Sequence, residues 1–359
     1  MQQEKEMVKN KRTFSAILLL LIGLLFISMI VSVSIGQVNI SFFDSCKILL
    51  YEFTGLHIGN VDTVIPKMIS DVIWQIRIPR ILLAVIVGAG LALCGSVMQA
   101  SIQNPLADPY ILGISSGALL GATFSIILGQ KLSSFLGQFD LFICAFLGAI
   151  LATFLVLVLS SVGEKMSVIK LILAGTVVNA LFTALSNLFV YFAKDAEGVR
   201  SVSFWTMGSL SSAEWKDIPL IAAIVIIISV FFLSQWRIMN AMLMGDDAAM
   251  TLGINLNIYR KIYLVISAIL TAVIVSTCGI IGFVGLVIPH IVRIFTGSNH
   301  RYLVPIVILV GAIFLIWTDL LARTVISNSE LPIGIVTSLF GAPVFMHMLI
   351  KKKYGFGGN

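Results

Sequence analysis

A chain of 359 residues that is 58% hydrophobic and 11% charged carries more apolar side chain than a water-soluble fold of its size can cover. Its mean hydropathy of +1.05 requires lipid as the solvent. The excess of 23 Lys and Arg over 17 Asp and Glu is spread among loops, with no basic stripe and no interleaved aromatics. That excludes nucleic acid as a partner and fits positive cytoplasmic loops. Cys46, Cys94, Cys144 and Cys278 are scattered without a C-x-x-C pair, so neither a metal site nor a disulfide framework is expected.

In chain order, residues 1–15 read as a polar, basic cytoplasmic tail. The apolar run at 16–36 is longer than the ~7–15-residue core of a signal peptide, so it reads as an uncleaved first span. Segment 37–76 is predicted on the outer side, with 42–53 as a short interfacial helix. Further spans are predicted at 81–101, 114–129, 141–161, 171–192, 218–235, 262–281, 283–297, 303–323 and 333–350. Only helices or closed barrels satisfy their backbone in hydrocarbon, and these runs are long rather than alternating. The fold class is therefore all-α: a single-domain polytopic membrane bundle of about ten transmembrane helices over residues 1–359. An even number of spans puts both termini on one side, and the basic residues put that side in the cytoplasm, with 351–359 as the second tail.

The second span carries Ala84, Gly88, Ala92, Ser96 and Ala100 every fourth position, a face built for close helix approach, and Gly117 with Gly121 repeats the device. In the fifth span Thr176, Asn179, Thr183 and Ser186 share one face, suited to a helix interface or a wet pathway. Asp319 and Arg323 are four apart and read as a local ion pair. No other span centres a carboxylate, which counts against proton-coupled transport.

The loops add motifs. No G-x-x-x-x-G-K-[ST] occurs, so the chain has no phosphate-binding loop. Asn104-Pro105-Leu106-Ala107-Asp108-Pro109 fixes a rigid turn after the second span. Gly113-Ile114-Ser115-Ser116-Gly117 matches a nucleophile-elbow pattern, but a Pro-bounded loop precedes it and the intramembrane histidines are only His290 and His347; a helix start explains it more simply. Within the long inner segment 236–261, Gly245-Asp246-Asp247-Ala248-Ala249-Met250-Thr251-Leu252-Gly253 reads as a short helix opened by acids and closed by glycine. So short a helix needs a surface to hold it, either its own bundle or a partner.

Together these segments resemble the FecCD family of ABC-importer permeases. The resemblance runs from Trp74 to Lys352 and rests on seven motifs in order. They are Trp74–Arg80, Asn104–Pro109, Gly113–Ala118, Gly245–Gly253, Gly282–His290, Glu330–Gly334 and Gly341–Phe345. It implies a ten-helix transport subunit, not an enzyme, paired with a second copy or a paralogue. Two ATP-binding cassette subunits would carry the ATP and Mg, and an extracytoplasmic binding protein would deliver an iron-siderophore, haem or cobalamin-like cargo. By the same resemblance 236–261 holds the coupling loop, with Gly245, Asp246, Asp247, Ala248, Leu252 and Gly253 meeting the ATPase. Asn104, Leu106, Val168 and Ile169 match an inner gate, where the family's cobalamin permease has hydroxyl residues in place of Val168 and Ile169. Arg77, Arg80, Arg323 and Glu330 match outer positions that meet the binding protein. The competing readings are an ATP-independent transporter or channel and an intramembrane hydrolase using Ser115.

Overall fold

The computed structural model describes residues 11–36, 40–54, 67–129, 141–162, 168–193 and 196–350. Most of both predicted tails and part of the outer segment lie outside these residues. The chain folds into helices α1 (Lys11–Ser34), α2 (Phe42–Thr54), α3 (Lys67–Ile102), α4 (Ile114–Phe124), α5 (Leu141–Ser161), α6 (Val168–Tyr191) and α7 (Ala196–Thr206). There follow α8 (Ile218–Ser234), α9 (Trp236–Met244), α10 (Asp246–Thr251), α11 (Leu256–Cys278), α12 (Val284–Thr296), α13 (His300–Thr324) and α14 (Ile333–Ile350).

Six of these are long and apolar enough to cross a bilayer, namely α1, α3, α5, α6, α11 and α13. The pair α8–α9, bent by 57°, makes a seventh crossing when counted as one. The shorter apolar helices α4, α12 and α14 stand at the positions of the three remaining predicted spans. An α-helix rises 1.5 Å per residue, so α12 with 13 residues does not span ~30 Å of hydrocarbon unaided.

Helix α3 is the axis of the bundle: its small-residue face is buried throughout. A Cβ on Gly88 would strike the Gly311 carbonyl of α13, and one on Gly95 would strike the Gly285 carbonyl of α12. Backbones touch there, which only glycine permits. Gly117 and Gly121 of α4 meet Gly148 and Cys144 of α5 in the same way. Without water to expel, such van der Waals closeness is what holds helices together in lipid. Helices α1 and α13 run parallel, joined at one end by Phe14 against Tyr302 and further along by the Trp317 indole N–H to Ser28 Oγ at 3.0 Å.

Three features depart from expectation. α3 begins at Lys67, passing through a π-helical turn at Val72–Arg77, so the last ten residues of the predicted outer segment belong to the second span. Helix α7 was not anticipated. Between α11 and α12, where the two predicted spans nearly touched, the chain leaves the helix at Gly279 (φ 72°) and re-enters after Phe283 (φ 67°). Its neighbours satisfy the irregular backbone: Ser209 N–H donates to Cys278 O at 2.8 Å and the Tyr110 hydroxyl to Ile281 O at 3.0 Å. Non-helical backbone at this depth is tolerated only when protein covers it.

Candidate functional site

Helix α9 ends at Gly245, whose φ of 93° turns the chain into α10. Asp246 and Asp247 occupy the first turn, where negative charge suits the positive end of the helix. Asp246 does not cap that end. Its Oδ1 instead accepts from Nη2 of Arg260, on α11, at 2.9 Å. Arg260 is buried and also donates from Nε to the Ser101 carbonyl at 2.7 Å, near the last turn of α3, and from Nη1 to Asn257 Oδ1 at 3.2 Å. At the other end Gly253 (φ 75°) closes α10, its N–H on Met250 O at 2.9 Å and the Ile254 N–H on Ala249 O at 3.0 Å. Ala249 anchors the helix from beneath, Ala248 is half-buried, and Met250 (59%) and Leu252 (62%) are exposed apolar side chains. A Cβ at Gly245 or Gly253 would meet nothing within 4 Å. The segment is thus clamped below and open above.

The clamp leads into the predicted gate loop. Gln103, in a left-handed conformation, donates from Nε2 to the Met242 carbonyl and ties the end of α3 to α9. Asn104 Oδ1 then accepts the Leu106 N–H at 2.9 Å, the rigid Asx turn read from the sequence. Asp108 Oδ1 accepts the Tyr110 N–H at 2.8 Å and starts a 3-10 turn at Pro109–Leu112. Burial pushes the Asp108 carboxyl up to about 6, a rise that the Tyr110 N–H opposes. Inside this loop, Gln99 donates from Nε2 to Leu286 O at 3.2 Å and accepts at Oε1 from Arg293 Nη2 at 3.0 Å, joining α3 to α12.

Val168 and Ile169, the other predicted gate residues, lie in the first turn of α6, the first half-buried and the second 70% exposed. They share no hydrogen bond with the Arg260 clamp. Sequence reading missed Gln99, Gln103, Arg260 and Arg293; the available signal was amide and guanidinium side chains at the ends of otherwise apolar runs.

The polar face of α6 divides. Asn179 Oδ1 accepts from Ser116 Oγ at 2.6 Å, and Ser186 shares a hydrogen bond with Thr123 at 2.8 Å. Both pairs are 63 residues apart, so α4 and α6 lie parallel and in register over one heptad. Thr183 is half-buried, and Thr176 is exposed and donates to its own helix at Ile172 O. Ser115 stands in the first turn of α4, after a 3-10 turn rather than a strand, so the hydrolase elbow is not formed.

At the opposite end of α3 lies an ion network. Arg80 Nε donates to Asp319 Oδ1 at 2.9 Å and its Nη1 to Glu330 Oε2 at 2.8 Å. Asp319 Oδ2 is 3.5 Å from Arg323 Nε, the expected local pair. Arg323 donates from Nη2 to the carbonyl and hydroxyl of Ser32, while Arg77 donates from Nη1 to the Val33 and Ser34 carbonyls. The two arginines thus cap the last turn of α1, where unsatisfied carbonyls attract cations. Arg77, Arg80 and Arg323 are buried at 5%, 7% and 4% exposure. Of the four residues matched to docking positions, Glu330 alone presents its side chain to the surface, at 40%.

Comparison with known proteins agrees with this architecture. Residues 24–351 match the FecCD transport family. The hemin transport system permease protein HmuU of Yersinia pestis is 38% identical over 288 residues, covering 79% of this chain and 86% of its own. The molybdate import system permease protein MolB of Haemophilus influenzae is 36% identical over 333 residues, covering 92% and 94%. A solved structure described as an inward-facing conformation of a metal-chelate type ABC transporter superposes with a TM-score of 0.78 at 34% identity, over 94% of this chain and all of that one. The chain therefore belongs to the FecCD transport family and is a multi-pass membrane permease subunit of an ABC importer, a transport component rather than an enzyme.

Proposed function

We propose that this permease carries a metal chelate, an iron-siderophore or haem ahead of a cobalamin, across the cytoplasmic membrane by ATP-driven alternating access. The observation that carries the reading is the continuous path from the exposed face of α10, through Asp246 and Arg260, to the end of α3 and its Asn104–Leu106 loop. A subunit pushing on Leu252 and Ala248 would move a clamped helix, and the clamp would pass the displacement to the gate. Gly245 and Gly253 leave room for that approach. The partners are a second copy or a paralogue, two ATPase subunits holding ATP and Mg, and an extracytoplasmic binding protein. This chain itself holds no cofactor. Both termini are cytoplasmic in this reading. The exposed apolar face of α6, which includes Ile169, Leu173 and Val177, is available to the second permease. Rigid-body rocking of packed helices is the mode of motion expected.

Apolar Val168 and Ile169 at the gate favour an iron chelate or haem, and the relatives' cargo of hemin or molybdate keeps a metal-bearing anion within range. At the outer end, Glu330 is the residue best placed to meet a binding protein, with Arg77, Arg80 and Arg323 holding the surface around it.

The test is uptake of a labelled ferric siderophore, haem or cobalamin by the reconstituted complex, with wild type compared against Leu252→Asp. Loss of transport and of binding-protein-stimulated ATP hydrolysis, with insertion and dimerisation intact, is the expected result. Undiminished transport without a functioning ATPase would hand the protein to the secondary-transporter reading.

A further inference from the structure

The bend between α8 and α9 carries a cluster that transport leaves unused. The Trp236 ring has the guanidinium carbon of Arg237 at 5.2 Å and that of Arg301, from the first turn of α13, at 5.5 Å. Arg301 also lies 6.0 Å from the Tyr302 ring, against which Phe14 of α1 packs edge-on at 5.0 Å. The two elements are stapled. Asn240 donates from Nδ2 to Asn299 Oδ1 at 2.9 Å and accepts the His300 backbone N–H at 2.8 Å.

Two like charges are therefore held around one indole. Among the described residues neither Arg237 nor Arg301 has a carboxylate partner. An aromatic face holds a guanidinium flat and leaves its in-plane N–H donors free, the geometry that matches a phosphate. Directly along α8, Ile226, Val230 and Leu233 are exposed at four- and three-residue spacing on one helical face. An apolar strip that ends in paired cations beside a tryptophan has the polarity of a lipid, chains along α8 and headgroup at the bend.

We propose that Trp236, Arg237 and Arg301 form a binding site for the phosphate headgroup of an anionic phospholipid, at the membrane face where α1 and α13 begin. The continuous apolar strip favours a lipid over free phosphate. The paired charge favours an anionic headgroup over a zwitterionic one, whose own cation the arginines repel. The proposal rests on the chain spanning a membrane, and on neither its cargo nor its ATPase. Its consequence is local: a bound headgroup fixes the root of α9, nine residues long, which carries the coupling segment at its far end.

The experiment is quenching of tryptophan fluorescence in liposomes containing brominated phosphatidylglycerol or brominated phosphatidylcholine at equal mole fraction. The Trp236→Phe protein isolates the one ring among five. The Trp236 signal should be quenched at least threefold more strongly by the glycerol lipid, and Arg237→Gln/Arg301→Gln should bring the two lipids to parity. Equal quenching of the wild type by both lipids overturns the proposal, and so does a preference that survives the double variant. The wild-type comparison decides alone if that variant does not insert. Millimolar inorganic phosphate that abolishes the preference would make this a site for a free anion and refute the lipid assignment.

Discussion

Asp319 is 1% exposed and faces Arg80 and Arg323, so its charge balances two buried cations. Removing one partner from such a group costs about 3–5 kcal/mol, because what remains is charge without solvent. Asp319→Asn should therefore sharply lower the melting temperature of the detergent-solubilised protein. Glu330→Gln should stay within about 1 kcal/mol, since its side chain is 40% exposed and solvent screens the pair. Similar losses for both would mean that the network is held by the Glu330 pair instead. Arg260 invites a different measurement. Arg260→Gln removes charged hydrogen bonds worth about 2 kcal/mol from a six-residue helix that cannot stand alone. Amide exchange over 246–251 should speed up, and cargo moved per ATP should fall about tenfold or more while hydrolysis persists. Transport and hydrolysis falling together would deny Arg260 a role in transmission. The local pair Asp319–Arg323 was legible because helical spacing alone brings those side chains together. Arg80, 239 residues away, and Ser116 opposite Asn179 were not, since tertiary packing alone makes them neighbours.

Among the helices, what the sequence made visible was whatever lipid demands: long apolar runs and faces of small residues. The prediction at Gly88, Gly117 and Gly121 held because close approach leaves no other residue type possible at those positions. Helix α7, the π turn in α3 and the 57° bend were hidden for the opposite reason. They are short and of mixed polarity, and neighbours rather than solvent shape them. The glycine contacts set up a paired test. Gly95→Ala would drive a Cβ into the Gly285 carbonyl, with an overpacking cost of about 1–3 kcal/mol. Gly23→Ala meets nothing within 4 Å and should gain up to about 1 kcal/mol from helix propensity. Thermal melts of the two variants should move in opposite directions, and a Gly95→Ala protein as stable as wild type would mean that α3 and α12 can separate without loss.

At the scale of the molecule, α3 joins two polar ends: the arginine caps on α1 at one, the Arg260 clamp and the Asn104–Leu106 loop at the other. A helix buried from Ile78 to Ile102 behaves as a rod over that stretch, so displacement at either end is felt at the other. In the proposed orientation of that rod, the start of α1 and the α10 segment share the cytoplasmic side. Single cysteines at Thr13 and Asp247, in a background lacking the native four, should react with an impermeant maleimide only in inside-out vesicles, and one at Glu330 only in right-side-out vesicles. Labelling of Thr13 and Glu330 from the same side would invert one of the two ends.

The arginine caps also set an order of events in biosynthesis. Arg77 follows Val33 by only 44 residues, but Ser32 meets Arg323 across 291 residues of chain, so α1 enters the bilayer long before the second of its two capping arginines exists. At ~5–20 residues per second, that wait is roughly fifteen seconds to a minute. During it α1 has to persist as a span without α13, and its composition suits this. Beyond Arg12 it carries no charge, and its polar contacts with α13 are made by serines and backbone carbonyls towards its end. The capping of the first helix to be made is thus completed late, when α13 brings Arg323 into the membrane.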